Sequence, residues 1–469
     1  MYRYESVAGQ VREWIATGTL KPGDRLLSVR DMAVKLGYST VTVHQAYGVL
    51  QIEGLLEVRP RSGFFISDSA RQLPEFASEP ADFSPEDTEP EAVDALLSDF
   101  DDLPREGLAG TAISSDLTPA VELYRLMSSA LRREVARHEE VPWQGLDALR
   151  EVIARRLGAW APSRRMRDIT VTPDVAAALD LCLNLLAKPG EKVLVETPTD
   201  PATVTALLGR GLGIVEIYSH PRFGLDPDQL EYLLDTQDIA VCILSPINHV
   251  PTGVSYSLDV AQRLVDITGR RSVPIIENLA AQALLYNDDA PVFDLTAFDS
   301  RNLVFQIGGF AGTLGPRFGV GWVALPGKYR LNPSVPAWPR HGAAGQWAHQ
   351  RAIADFVGKR SYDRHLHVLK QTLAARVRKG MSLISQRFPD TCTVSRPSGG
   401  YMCWVRGPKN FSALSTSSRR RDRPTFIPGP MYSVTRAFGN FLALNLSSAW
   451  TPQREDDLMD IGRMLARLS

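Results

Sequence analysis

The sequence is poor in the features that mark secreted, metal-held or membrane proteins. Only four cysteines occur in 469 residues, Cys182, Cys242, Cys392 and Cys403. They form no CxxC pair and stand beside no histidine cluster, which argues against structural zinc and against a disulfide framework. No run of about eighteen apolar residues is present, and the amino-terminal stretch MYRYESVAGQVREWI carries charges inside its only apolar part. No membrane partner is therefore expected, and a cytoplasmic protein is the default reading. Charge of one sign is also lacking: 52 Lys and Arg face 53 Asp and Glu. Any affinity for nucleic acid has to come from a local patch. With 44% hydrophobic and 22% charged residues the composition is that of folded globular chains. Its length predicts two or three units, each with its own core.

Residues 1–67 have the pattern of three helices and a hairpin. Val7, Val11, Trp14 and Ile15 recur at helical spacing before a Lys-Pro-Gly-Asp turn at 21–24. Ser28 can cap a second helix that Gly37 ends, and Ser39 can cap a third. LLEVRPRSGFFIS then reads as a strand, a basic tip and a return strand. Residues 68–113 begin with an acidic, Pro-rich stretch in which Arg71 is the only basic residue among twelve Asp and Glu up to Asp102. This composition predicts a linker. From 114 onward, helical patterns alternate with short apolar runs at Ile169–Val171, Lys192–Glu196, Ala240–Leu244, Val273–Glu277, Leu303–Gln306 and Gly321–Leu325. That order predicts an α/β unit with a mainly parallel sheet, placed at 114–326. A long helix over Tyr362–Arg387 and strands near Tyr401–Val405 and Phe441–Leu444 predict a smaller α+β unit over 327–469. The run Arg419-Arg420-Arg421-Asp422-Arg423 reads as a solvated loop, with DNA or an acidic ligand as the alternative.

The stretch KPGDRLLSVRDMAVKLGYSTVTVHQAYGVLQIEGLLEVRPRSGFF resembles the winged helix-turn-helix of the GntR regulators. The resemblance implies that the third helix enters a major groove with Ser39, Thr40, Thr42 and His44 toward base edges. Arg30, on the preceding helix, would meet phosphate or base. Arg59, Arg61, Ser62 and Gly63 would form a wing near the minor groove. Thr40 stands where many relatives carry an arginine, which weakens the case for bidentate guanine readout there. Plain alternatives remain: Ser39 only a cap, Arg59 only a surface charge.

Further on, QGLDALREVIARRL, ITVTPDVAAALDLCLNLLAKPGEKVLVETPTDP, SPINHVPTGVSYSL, VPIIENLAAQALLY, LVFQIGGFAGTLGPRFGVGWVALP and SGGYMCWV follow the order of the fold-type I aminotransferases. Joined to the head, they resemble the MocR group of regulators. That resemblance implies pyridoxal phosphate, but the residues that would hold it look replaced. Gly312 stands at the Schiff-base lysine, Asn278 at the carboxylate that partners the ring nitrogen, and Asp200 at the aromatic that stacks on the ring. Val250 stands at the polar residue before Pro-Thr-Gly. Gly319 and Ala443 stand at the two arginines, and Pro173-Asp174-Val175 at the phosphate turn. The expectation is therefore no cofactor, no metal, no catalytic residue and no transaminase activity. What remains is a homodimer, head to tail as the resemblance implies, that binds double-stranded operator DNA. Its former active cleft, with Asp200, Asn248, His249, Asn278, Arg317 and Tyr432, is a candidate site for an unknown effector. The rival readings are an aminotransferase or regulator that does use pyridoxal phosphate, and a constitutive DNA binder whose body only dimerises.

Overall fold

A computed structural model describes residues 3–16, 19–21, 23–52, 55–59, 62–67, 73, 76, 103–134, 142–158, 164–286, 293–329, 346–410 and 425–468. Arg61 and the basic run 419–423 lie outside the described residues.

The head consists of α1 (Arg3–Ala16), α2 (Val29–Leu36), α3 (Thr40–Ile52) and an antiparallel hairpin, β1 (Leu56–Arg59) and β2 (Gly63–Ile66). Its boundaries follow local chemistry. The Ser28 hydroxyl accepts the Asp31 N–H at the start of α2, and Gly37 ends that helix with φ 72°. Val7, Val11, Met32, Val43, Tyr47 and Leu50 fill the core between them. The Tyr47 hydroxyl donates to the Leu27 carbonyl at 2.8 Å and its ring meets Phe64 edge-on, which fixes α3 against the wing. The expected turn at 21–24 leads into more than a connection. The chain at Asp24–Leu26 pairs along β2, with Leu26 N–H on the Phe64 carbonyl and Ile66 N–H on the Asp24 carbonyl, so the wing gains a third strand-like edge.

The body contains an eight-stranded sheet in the order β3-β10-β9-β8-β7-β4-β5-β6. These are β3 (Ile169–Thr172), β4 (Lys192–Thr197), β5 (Gly213–His220), β6 (Gly224–Leu225), β7 (Ile239–Leu244), β8 (Ile275–Asn278), β9 (Val304–Gly309) and β10 (Gly321–Ala324). The central pairings β5-β4-β7-β8-β9 are parallel, as the alternation of helix and strand predicted; β10 and β6 run antiparallel to their neighbours. The helices of this unit are α4 (Ala120–Glu134), α5 (Asp147–Leu157), α6 (Val175–Leu186), α7 (Pro201–Leu208), α8 (Pro227–Thr236), α9 (Leu258–Arg270) and the short α10 (Ala311–Leu314). A second sheet, β11 (Thr393–Val394), β12 (Met402–Arg406), β14 (Phe441–Asn445) and β13 (Ile427–Pro428) in that spatial order, packs with α12 (Arg360–Arg387) and α13 (Pro452–Ala466).

Packing moves two of the expected divisions. The helix α11 (Trp347–Val357) lies after residue 326, yet its Ile353, Phe356 and Val357 share a core with Leu149, Ile169 and Trp322 of the large unit. Residues 68–113 are not all spacer. Leu73 joins Leu108 and Val377 in the small unit's core, and Phe76 stacks on Phe441 at 6.1 Å. The two apolar residues are sparse enough that the acidic average conceals them.

Candidate functional site

Two surfaces of the chain carry function-bearing geometry, and the first is on the head. Val43, Ala46, Tyr47 and Leu50 bury one face of α3, which leaves Thr40, Val41, His44 and Gln45 exposed on the other. A helix held by one face and bare on the opposite one can enter a major groove. Of the expected base-facing residues, Thr40 and His44 are free to do so. Ser39 and Thr42 are engaged with each other: the Ser39 hydroxyl accepts the Thr42 N–H at 3.1 Å and shares a hydrogen bond with the Thr42 hydroxyl at 2.8 Å. Their first role is the helix cap.

Arg30 is exposed on α2 and takes part in no ion pair among the described residues, as a phosphate-binding cation should. Arg59 is different. Its Nε lies 2.6 Å from Glu57 Oε1 and its guanidinium sits 4.4 Å over the Phe65 ring, so it meets DNA only by leaving both. Ser62 is exposed, and Gly63, with φ 104°, turns the wing in a conformation that suits glycine. Sequence reasoning passed over three residues. Gln45 is able to read adenine with two hydrogen bonds, and Val41, 66% exposed, is able to meet a thymine methyl. Arg25 is exposed beside Gly63, a position visible only once Asp24–Leu26 is seen to pair with β2.

The second surface is a cavity of about 460 Å³ in the body, at the carboxyl ends of the parallel strands. Parallel strands direct the loops that follow them to one edge, where α/β folds bind ligands. Here those loops bring together Asp200, Asn248, His249 and Asn278, and the turn after β13 of the small sheet adds Tyr432, so five of the six residues expected in the cleft line it. Arg317 is not among the lining residues. It is solvent-exposed and donates to the Tyr124 hydroxyl at 3.3 Å, because the turn at Pro316–Phe318 directs it toward α4. Tyr401, which sequence reasoning did not single out, completes the wall.

Each cleft residue is positioned by its own local chemistry. Asp200 caps α7, accepting the Thr203 N–H at 3.1 Å on one oxygen and the Thr203 hydroxyl at 2.5 Å on the other. The Asn278 Oδ1 accepts the Ala280 N–H at 3.0 Å. Asn248, at φ 53°, donates through Nδ2 to the Ala281 carbonyl at 2.9 Å. His249 is buried, with Nδ1 3.0 Å from the Thr252 hydroxyl and Nε2 3.8 Å from Glu196 Oε1. The other Glu196 oxygen accepts the Ser245 N–H at 2.7 Å. These contacts give His249 the role of tying its loop together. The Tyr432 phenol is pushed well above its ordinary range by burial and then by the charge of Asp200, and that of Tyr401 is pushed up to about 12 by the same two causes.

The positions expected from the sequence to stand at cofactor contacts fall in different places. Gly312 and Val250 line the cavity. A Cβ at Gly312 would meet Leu284 and Ala280 only at ordinary contact distances, 3.5 and 3.6 Å. Gly319 lies outside the wall, where a Cβ would press on Ala311 at 3.0 Å. Ala443 is buried on β14 between Trp404 and Ile427. Val175 and Ala176 open α6 in the cavity wall, and the Asp174 carboxylate caps that helix by accepting the Ala177 N–H at 2.7 Å. Gly321 on β10 passes so close to the Asp174 carbonyl that no side chain fits there, which sets the capping residue in place. Among the described residues, neither lysine nor arginine lines the cavity. Lys192 reaches Gln237 at 2.6 Å, and Lys328 lies over Tyr329.

Residues 3–66 match the family model of the bacterial regulatory proteins of the gntR family. Over nearly its whole length the chain is similar to two proteins of Escherichia coli K12. It is 27% identical to the uncharacterized HTH-type transcriptional regulator YdcR, covering 99% of each chain, and 27% identical to the uncharacterized HTH-type transcriptional regulator YjiR, covering 100% of this chain and 99% of that one. Among solved structures it resembles LysN, the alpha-aminoadipate aminotransferase of Thermus thermophilus, with a TM-score of 0.67 at 20% identity over 76% of this chain and 91% of that one. The architecture is thus an amino-terminal GntR-type helix-turn-helix domain followed by an aminotransferase-like α/β fold.

Proposed function

We propose that the chain is a transcription regulator of the GntR/MocR type that binds operator DNA as a homodimer and whose aminotransferase-like body forms no aldimine with pyridoxal phosphate. The observation that carries this reading is the wall of the cavity. Pyridoxal phosphate needs an amine for its aldehyde, a carboxylate or similar partner for its ring nitrogen and donors for its phosphate. The cavity offers Gly312 where the amine belongs, the neutral amide of Asn278 on β8, and a helix end whose Ala177 N–H is already taken by Asp174. Its only carboxylate among the described residues, Asp200, would repel a phosphate. The residues present do not fit the cofactor.

The domain layout of the proposal is a DNA-binding head at 1–67, a joining segment at 68–113 and a body that dimerises and senses. Exposed apolar residues on α4, with Val121 at 87% and Leu131 at 50%, support a covered face in the dimer. Two heads on one dimer would read two half-sites. Arg30, Thr40, His44 and the wing residues Arg61, Ser62 and Gly63 are the proposed DNA contacts, with Gln45 and Arg25 added from the structure. No helix among the described residues is long and apolar enough to cross a membrane.

The test pairs two measurements on the purified full-length protein. Footprinting on DNA from upstream of its own gene is expected to protect two related half-sites. Incubation with pyridoxal phosphate followed by borohydride is expected to leave every lysine unmodified in peptide maps. A yellow protein with a reduced pyridoxyl-lysine would favour the cofactor-using rival, and failure on every duplex would remove the regulator reading.

A further inference from the structure

The cavity has a chemical preference that can be read from its wall, and the inference rests on the reading that pyridoxal phosphate does not occupy it. Ile113, Leu179, Ile247, Leu284, Ile307 and Met402 make most of the surface aliphatic, which suits a ligand with an apolar body. Its volume, about 460 Å³, lies within the range of small-molecule sites. The charged equipment is one-sided. Among the described residues Asp200 is the only carboxylate in the wall, and no described lysine or arginine in the wall balances it. No ion pair joins Asp200 to a cation anywhere among the described residues. Thr203 uses one acceptor position on each of its oxygens. A carboxylate has about four such positions, so both oxygens can still accept.

Two aromatic residues stand with that carboxylate. Tyr401 and Tyr432 line the same cavity, and both phenols are held neutral by burial and by the negative charge of Asp200. A carboxylate that shares a largely aliphatic cavity with two tyrosines attracts an organic cation through charge-assisted hydrogen bonds and ring quadrupoles. The same arrangement rejects an anion. A ligand carboxylate or phosphate would meet Asp200 with no counter-charge among the described wall residues.

We propose that the cavity is a binding site for an organic ammonium ion with an apolar body and no acidic group, held non-covalently with its ammonium against Asp200 beside Tyr401 and Tyr432. The ligand class is therefore amines rather than amino acids. Ser245, Asn248 and Asn278 supply secondary hydrogen-bonding positions around the same space.

Three indoles of nearly equal size test this by calorimetry on the full-length protein: tryptamine, its alcohol analogue tryptophol, and its acid analogue indole-3-propionate. Tryptamine is expected to bind at least about tenfold tighter than tryptophol, the margin of one charge-assisted hydrogen bond, with indole-3-propionate weakest. Asp200→Asn keeps a good capping residue on α7 and is expected to bring tryptamine down to the level of tryptophol while leaving tryptophol unchanged. Tyr401→Phe keeps the ring and is expected to retain the preference for the amine. Equal binding of the alcohol or the acid to the wild-type protein overturns the proposal, whether or not the variants fold. So does the absence of binding by all three, or an Asp200→Asn protein that still prefers the amine. If these failures occur in a protein that still binds its operator and stays colourless with pyridoxal phosphate, the regulator reading survives. A pyridoxyl-lysine adduct instead removes the reading beneath the inference.

Discussion

Glu216→Gln probes the contact that joins the two body subdomains. Glu216 is buried on β5 of the large sheet, and every partner of its carboxylate is a donor. One oxygen accepts the Thr197 hydroxyl at 3.0 Å and the Val434 N–H at 2.9 Å. The other accepts the Ser433 hydroxyl at 2.9 Å, the Thr435 N–H at 3.3 Å and the Thr435 hydroxyl at 2.5 Å. Glutamine preserves the shape but turns one oxygen into an NH2 group. The hydroxyls can rotate to accept from it; a backbone N–H cannot. In either orientation the amide therefore faces Val434 or Thr435 donor to donor. Losing the charge-assisted character of the remaining bonds and leaving one buried N–H unpaired costs roughly 3–5 kcal/mol, and relief from burying a charge returns part of it. The expected net loss is about 2–3 kcal/mol, concentrated in the loop at 433–437. Because a chain of several units need not unfold in one step, the suitable assay is hydrogen exchange of that loop in the folded protein. At about 1.4 kcal/mol per tenfold, exchange there is expected to quicken about 30- to 140-fold, with the head unaffected. Unchanged protection of 433–437 would refute the reasoning.

Arg61→Ala is expected to weaken operator binding and lower the slope of log affinity against log salt by about one, and an unchanged slope would remove Arg61 from the phosphate contacts. Gly312→Lys is expected to fold, since a Cβ there meets only ordinary contacts, and on the proposed assignment of the ring and phosphate positions it is expected to show no transaminase activity. Recovery of activity would refute the assignment of those positions. Glu277 gives a pH prediction. Burial first, and then the charge of Asp294, raises its carboxyl from the ordinary 4.5 to about 8. Between those values the folded state keeps a proton that the unfolded chain has released, so stability falls as pH rises through that interval. Glu277→Gln is expected to be more favourable relative to wild type at pH 8 than at pH 5 in urea midpoints, and an equal difference at both would contradict the raised value.

What could be read in advance was local. The head's helices are fixed by Ser28, Gly37 and Ser39, residues whose capping chemistry acts within three or four positions of themselves. The body strands found in advance are those with an unbroken apolar run. β5 was missed because Glu216, Tyr218 and Ser219 interrupt its pattern, and the Glu216 carboxylate is buried because the loop after Tyr432 supplies donors from more than two hundred residues away. The same distance explains the cleft. Its loops were legible from their motifs, whereas Tyr401 enters through the packing of the small sheet. Arg317, placed in the cleft by its position in the motif, faces Tyr124. Gly-rich motif spacing locates a backbone; it does not say which way an exposed arginine points.

The cavity and the head are linked by a segment whose sequence looked like mere spacing. Thr111, Ala112 and Ile113 form part of the cavity wall, and the chain that leads from them to the head runs through 68–110. Asn445 at the end of β14 holds that wall. Its N–H binds the Leu108 carbonyl at 2.8 Å, and its side-chain amide donates to the carbonyls of Gly110 and Ala112 at 2.8 and 2.7 Å. Ser447 holds the next residue through the Ser114 N–H at 3.0 Å. A ligand can shift the head only if it binds one arrangement of the chain better than another. Among the described wall residues, 111–113 are the stretch that a ligand could reach and that is continuous in sequence with the segment leading to the head. The contacts through which it could discriminate are therefore those made by residues 111–113, and the amide of Asn445 sets how much free energy must be supplied to move them.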